Sequence, residues 1–375
     1  MTRLLVPLGT RPEIIKLAPV VRELVASGFA VRTVATGQHG DAAMSSAFFE
    51  ELDVRPDETW TLPGNAPARL GSMLARAEQE LEENRPELVL MLGDTNTVPL
   101  FCLAARRHRV PVAHLEAGLR SFNATSMEEV NRKIAAACAS LHLAPTELAA
   151  KFLVDEGIDP ATVRVVGNPV IDVLRRLRVA QVAPDNRSGA VFTAHRATNV
   201  DDPARLGALV ELVHRLVGEV GTVTFPIHPR TRRRLEAYHL LGDLGGAGIA
   251  LREPVGFREM NELVAKSRVV VTDSGGLQEE ASFFGVPVVV LRRSTPRWEG
   301  VRAGTSRLVG LDLELAVAAV RELTTPAQQQ HAASVPCPYG DGHTAERVAK
   351  LLGEDATWEL LRLGEPDFVG REPPS

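Results

Sequence analysis

Short apolar, β-branched runs alternate with longer amphipathic stretches along most of this 375-residue chain. That alternation restricts the fold more than any other feature. Strands apolar on both faces need cover on both faces, and parallel strands need long, usually helical, crossovers. Strand candidates fall at 4–8, 30–35, 88–92, 110–115, 141–144 and 163–166, with apolar residues at helical spacing in 18–27 and 70–83. After Asn168-Pro169 a second series begins, at 190–194, 223–227, 249–251, 269–272, 286–291 and 307–309. The reading is α/β: two doubly wound parallel-sheet domains, residues 1–168 and 169–355, with the C-terminal stretch 356–375 (helix candidate 357–363) joining the first. The stretch 325–335, rich in Pro, Gln and Ala, reads as a loop. In such folds ligands bind at the carboxyl ends of the strands, here most simply in a cleft between the domains.

Composition narrows the function. A net charge of −5 argues against a nucleic-acid or membrane-surface binder. The three cysteines form no CxxC pair, so neither a zinc ribbon nor a disulfide framework is expected. No apolar stretch reaches the roughly 18–20 residues that span a bilayer, and the expectation is a cytoplasmic protein. The basic run Arg230–Arg234 reads as a solvated helix face.

The informative residues are the polar ones at the strand ends. GTRPEIIK places Arg11, Glu13 and Lys16 around Pro12 after the first strand. Gly37-Gln38-His39 follows the second, as a turn or as a site carrying Gln38. In GDTNT, Asp94 either caps the next helix or serves a site. In HLEAGLRS, Glu116 ends a buried strand and needs a partner or a task; Arg120 is one candidate partner. MEEVNRK opens a helix with Glu128 and Glu129, one of them explained by the helix dipole. TAHRATN puts His195 and Arg196 where anion binding or proton transfer is suited. TDSGGLQEEA is the strongest local signal: Ser274, Gly275 and Gly276 turn from strand into helix, as a diphosphate cradle would, and Glu280 lies one turn on. STPRWEG adds Arg297 and Glu299, a phosphate contact beside a carboxylate or a mutual ion pair. Acids fall on the first domain and anion-binding groups mainly on the second, which suits a nucleotide-diphosphate sugar.

Taken in order, GTRPEIIKLAP, TGQH, GDTNT, HLEAGLRS, EEVNRK, LAPTE, GNPVID, TAHRATN, EP, TDSGGLQEEA, TxRxEG and PYGDG resemble the UDP-N-acetylglucosamine 2-epimerase family, in its bacterial non-hydrolysing branch, from about residue 3 to 350. The resemblance implies the GT-B fold, two Rossmann-like domains facing across a cleft. It implies interconversion of UDP-N-acetylglucosamine and UDP-N-acetylmannosamine without NAD or metal, and a homodimer. Inverting C2 means breaking an unactivated C–H bond; the family eliminates UDP to 2-acetamidoglucal and adds it back on the other face. By resemblance, Arg11 and Lys16 contact substrate, Ser274, Gly275 and Gly276 hold the diphosphate, Glu280 the ribose and Arg297 the phosphates. Asp94, Glu116, Glu128 and His195 match catalytic or substrate-contacting positions. Replacing Lys16 with Ala is expected to cost activity far more than stability.

Some positions depart from the family pattern. Met127 stands where a proline is common, and Ala135-Ala136-Ala137 where Thr-Asp or a histidine is frequent. Val255 and Met260 replace a leucine and an aromatic residue near uracil. Gly40-Asp41 replace longer polar side chains in the stretch that helps form the family's allosteric site, so weakened substrate activation is expected. The competing readings are a hydrolysing epimerase releasing N-acetylmannosamine and UDP, a GT-B glycosyltransferase, and a UDP-sugar sensor.

Overall fold

The computed structural model describes residues 1–37, 54–63 and 65–364. The chain divides into two compact units. One holds the described residues of Met1–Gly118 and Ser126–Val166 and those from Thr344 onward; the other holds Leu119–Thr125 and Gly167–His343.

In the first unit β1 (Arg3–Leu8), β2 (Ala30–Ala35), β3 (Glu58–Thr59), β4 (Leu88–Leu92), β5 (Val112–Leu115), β6 (Leu141–Ala144) and β7 (Val163–Val165) form one parallel sheet. Its order is β3-β2-β1-β4-β5-β6-β7. The chain runs outward from β1 in one direction, then returns to β4 and runs outward in the other. Beyond the carboxyl ends of β1 and β4 the connections therefore diverge, leaving the crevice in which such sheets bind ligands. Every residue of β4 is buried, as expected for a strand covered on both faces. The helix Arg11–Ala26 follows β1, with Thr10 and Glu13 forming a capping box and Pro12 in its first turn. The helix Thr344–Leu352 packs against it.

The second unit repeats the plan. Its strands are β8 (Ala190–Thr193), β9 (Val223–Pro226), β10 (Ile249–Arg252), β11 (Val269–Thr272), β12 (Val288–Val290) and β13 (Ser306–Leu308), in the order β10-β9-β8-β11-β12-β13, all parallel. The switch point lies between β8 and β11, in register through Thr193 and Thr272, whose hydroxyls meet at 2.6 Å. One large apolar cluster, including Phe192, Phe225, Val269 and Val271, fills one face, and a second, including Val191, Val270 and Phe284, fills the other.

Several expectations are corrected. The stretch expected as a loop at 325–335 is the helix Pro326–Ser334: the Thr325 hydroxyl accepts from the Gln328 amide, Pro326 occupies the first turn, and Gln and Ala suit the interior. The two-residue β3 carries too little pattern to be read. The strand expected from 110 begins at Val112, after Arg109 takes a left-handed φ of 55°. The last described helix is Asp355–Leu361, ending where Arg362 turns extended. Among the described residues, no helix is long and apolar enough to cross a membrane.

Candidate active site

In the first unit the polar residues gather at the switch point. Glu13 is almost fully buried. Its Oε2 accepts from the Thr10 amide at 2.6 Å and the Thr10 hydroxyl at 3.0 Å, and its Oε1 accepts from the Thr95 hydroxyl at 2.9 Å. Burial pushes its carboxyl up to about 7, opposed by these hydrogen bonds and reinforced by the charge of Asp94. Three residues along the same helix, the Lys16 ammonium forms a buried ion pair with Glu116. Glu116 leaves β5 in left-handed backbone, φ 62°, which costs a non-glycine residue about 1 kcal/mol or more and re-aims its side chain. Asp94, in the turn after β4, pairs with Arg132 of the helix Met127–Cys138. Arg132 also donates to Glu129 at 2.7 Å, and Asn131 donates to the Asp94 carbonyl at 2.9 Å. His114 Nε2 lies 2.7 Å from the Gly93 carbonyl. Carboxylates held at fixed positions by cations are suited to moving a proton and to facing positive charge that develops on a sugar.

In the second unit the corresponding ends are those of β8 and β11. Asp273 is fully buried, and its carboxylate collects the amides of His195 (3.1 Å) and Arg196 (2.9 Å) and the Asn199 side chain (3.0 Å). His195 Nδ1 lies 3.3 Å from the same carboxylate. Burial lowers the His195 pKa, against the pull of Asp273 and with the help of Arg196, Arg230 and Arg292, so the imidazole is neutral near pH 7. The His228 ring stands 5.1 Å away, centroid to centroid. Ser274 caps the helix Gly275–Phe283. A Cβ at Gly275 would come within 3.5 Å of the Arg297 guanidinium, and one at Gly276 within 3.4 Å of Glu280 Oε1. The guanidinium is aimed by fully buried Glu279, whose Oε1 accepts from Arg297 Nε at 2.8 Å, Arg297 Nη2 at 2.7 Å and Asn168 Nδ2 at 3.0 Å. A helix N-terminus beside an oriented arginine is suited to hold an anion.

The comparisons with known proteins agree with one another. A sequence profile described as UDP-N-acetylglucosamine 2-epimerase matches residues 22–353. The UDP-N-acetylglucosamine 2-epimerase of Methanocaldococcus jannaschii is 36% identical, with 93% of this chain and 98% of that protein covered. The chain belongs to the UDP-N-acetylglucosamine 2-epimerase family. A second member, the UDP-2,3-diacetamido-2,3-dideoxy-D-glucuronate 2-epimerase of Pseudomonas aeruginosa, is 35% identical over 94% of this chain and 99% of its own. The crystal structure of the M. jannaschii epimerase in complex with UDP-GlcNAc and UDP superposes with a TM-score of 0.85 at 36% identity, covering 94% of this chain and 99% of that one. The fold is thus the GT-B type of these epimerases.

Within this member of the epimerase family, the expected residues fall as follows. Lys16, Asp94 and Glu116 come together in the first unit. Glu116 pairs with Lys16, and Arg120, one candidate partner from sequence, donates to the Leu119 carbonyl. Arg11 is exposed at the start of its helix. Glu128 is half-buried and takes the Ser126 hydroxyl at 2.5 Å, while its neighbour Glu129 joins the Arg132 network. Gln38 and the stretch with Gly40 and Asp41 lie outside the described residues. In the second unit His195, Arg196, Ser274, Gly275, Gly276, Glu280 and Arg297 lie at the β8 and β11 ends and on the loop after β12. Val255 sits on the loop before the helix Phe257–Lys266, and Met260 packs half-buried against the core. Arg297 pairs with Glu279, a partner not considered from sequence. Glu13, Arg132, Asn168, Asp273 and Glu279 were not singled out as site members. Each lies inside or beside a quoted motif, and Thr10-x-x-Glu13 is a capping-box pattern, but their partners are distant in sequence.

Proposed function

We propose that this chain catalyses reversible C2 epimerisation of UDP-N-acetylglucosamine to UDP-N-acetylmannosamine by the non-hydrolysing route, without cofactor. One observation carries the reading: at the β4 and β5 ends Asp94 and Glu116 are each held by a cation, Arg132 and Lys16. One carboxylate takes the C2 proton as the C1–O bond breaks. The C–H electron pair forms the C1=C2 double bond of 2-acetamidoglucal, and the C1–O pair leaves with UDP. Re-addition of UDP at C1 and return of a proton to the other face of C2 complete the inversion. Arg297 and the amides at Gly275 and Gly276 bear the diphosphate charge as it grows, and Glu280 binds the ribose. Asp94, Glu116 and Glu128 are assigned to the sugar as a group, His195 and Arg196 to the departing phosphate, and Arg11, Gln38, Val255 and Met260 to substrate contact. The same reading takes the enzyme to be a cytoplasmic homodimer, which light scattering at micromolar concentration checks.

Incubation with UDP-N-acetylglucosamine in deuterated water, followed by NMR, tests the chemistry. Deuterium at C2 with UDP retained supports it. Free N-acetylmannosamine means hydrolysis, and an inert sugar points to a transferase or a sensor.

The P. aeruginosa relative supports a second reading of the substrate, because its name specifies the same C2 inversion on a diacetamido uronate. Comparing kcat/KM on the two UDP-sugars separates them. A uronate enzyme prefers the carboxylated sugar by about 10,000-fold or more, the scale on which a site left with an unpaired buried polar group discriminates.

A further inference from the structure

The capping box by itself would make Glu13 a structural residue of its loop. A capping-box glutamate needs only the amide of its cap residue. Glu13 does more. It is 5% exposed, and its second oxygen reaches across to the Thr95 hydroxyl, 82 residues away, in the turn that carries Asp94. The backbone on both sides makes room for it. A Cβ at Gly9 would lie 2.3 Å from Glu13 Oε2, and one at Gly93 would lie 3.4 Å from Glu13 Oε1 and 3.9 Å from Glu116 Oε2. The Glu13 carboxyl and the Glu116 carboxylate therefore flank the same glycine.

We propose that Glu13 is a positioning residue for the carboxylate cluster, tying the turn after β1 to the turn after β4 so that Gly93, Asp94 and Thr95 are held against Glu116. The inference rests on the epimerase reading for its consequence in catalysis. The turn is held from three sides: by Glu13 through Thr95, by His114 through the Gly93 carbonyl, and by Asn131 through the Asp94 carbonyl. Among the described residues, the charged and titratable groups on Glu13's helix and on the linked turn network are Arg11 and Lys16 on its own helix, Asp94 on the β4 turn, His114 and Glu116 on β5 and its end, and Glu129 and Arg132 on the helix Met127–Cys138. A proton on Glu13 keeps one negative charge out of this group, and the rise of its pKa to about 7 places that proton's loss within the working range.

Thr95→Val cuts the tie and leaves the capping box whole. The expected result is a fall in kcat of about 10- to 100-fold with KM changed less than about 3-fold, because small misplacements of reacting groups have that effect. Amide exchange in 93–97 becomes faster, and Thr95→Ser, which keeps the hydroxyl, restores both. Glu13→Gln, of the same shape but unable to ionise, keeps the slow exchange and flattens the kcat profile between about pH 6 and 8. Parental kcat in Thr95→Val, or a parental pH profile in Glu13→Gln, overturns the proposal. If the parent itself does not turn over UDP-N-acetylglucosamine, the reaction reading fails. The exchange measurement still decides the tie: unchanged exchange in Thr95→Val removes it.

Discussion

Lys16 shows how burial alters an expectation taken from residue type. Read from the sequence, Lys16→Ala should cost activity and spare stability. In the structure the Lys16 and Glu116 side chains are only 9% and 6% exposed, so removing the ammonium takes a cation from beside a buried carboxylate. Breaking one side of such a pair costs about 3–5 kcal/mol. Lys16→Ala is therefore expected to lose both turnover and stability, whereas Lys16→Met with Glu116→Gln loses turnover but recovers much of the stability. Denaturant unfolding of the two variants checks this; equal stability in both would remove the pair's energetic role. Glu13 gives a second residue-scale prediction, through pH. Its carboxyl is raised from the ordinary 4.5 to about 7, so between those values the folded protein binds more protons than the unfolded chain. Stability from this group is then greatest below pH 4.5 and is lost as pH rises to about 7, a loss of roughly 3 kcal/mol. The stability difference between the parent and Glu13→Gln should follow that sign; a difference that grows in the parent's favour with rising pH contradicts it. The cap that Glu13 makes was legible as Thr10-x-x-Glu13. Its burial and its bond to Thr95 were not, because nothing local relates residue 13 to residue 95.

At the scale of elements, the strand–helix alternation was legible because buried parallel strands are continuous apolar runs, and β4 and β11 are such runs. The helix Pro326–Ser334 was not, because Pro and Gln suggested a loop while the cap at Thr325 decided the outcome. Turns explain why two glycines in quoted motifs differ in purpose. Gly118 has φ 82°, and a Cβ there would lie 2.1 Å from the Ala149 carbonyl oxygen. Gly275 has an ordinary φ, and its nearest neighbour would be the Arg297 guanidinium at 3.5 Å. Gly118→Ala is expected to destabilise by about 2 kcal/mol or more, through backbone strain and the need to shift a helix. Gly275→Ala should change stability by less than about 1 kcal/mol, a glycine-to-alanine change near a helix start being nearly neutral or favourable. It should instead weaken UDP binding, since the methyl occupies the space over the helix N-terminus. Thermal unfolding and UDP titration of both variants separate the cases; a destabilised Gly275→Ala with parental UDP affinity would make that glycine a packing residue.

The whole molecule repeats one plan twice, and each copy places a different chemistry at its switch point. After β1 and β4 stand Glu13, Lys16 and Asp94, with Glu116 and Arg132 beside them; after β8 and β11 stand His195, Arg196, Asp273 and Ser274. That division was legible, since acids and anion-binding groups already separate along the sequence. The pairings were not: Arg132 with Asp94 and Arg297 with Glu279 join residues 38 and 18 positions apart, set by sheet order and not by any periodicity. The division predicts that the two halves of the substrate are felt separately. UDP alone should slow amide exchange at 274–277 and 195–199, where the helix N-terminus and the Asp273 cluster lie, and should stabilise that unit by about 2.7 kcal/mol at a hundredfold excess over Kd. The turn 93–97 should be unaffected by UDP and slowed only when the acetamido sugar is present, because the task proposed for Asp94 begins only with C2 in place. Hydrogen exchange with UDP, with UDP-N-acetylglucosamine and without ligand distinguishes the outcomes. Equal protection of 93–97 by UDP alone would place the nucleotide's influence on both units and dissolve the division of labour.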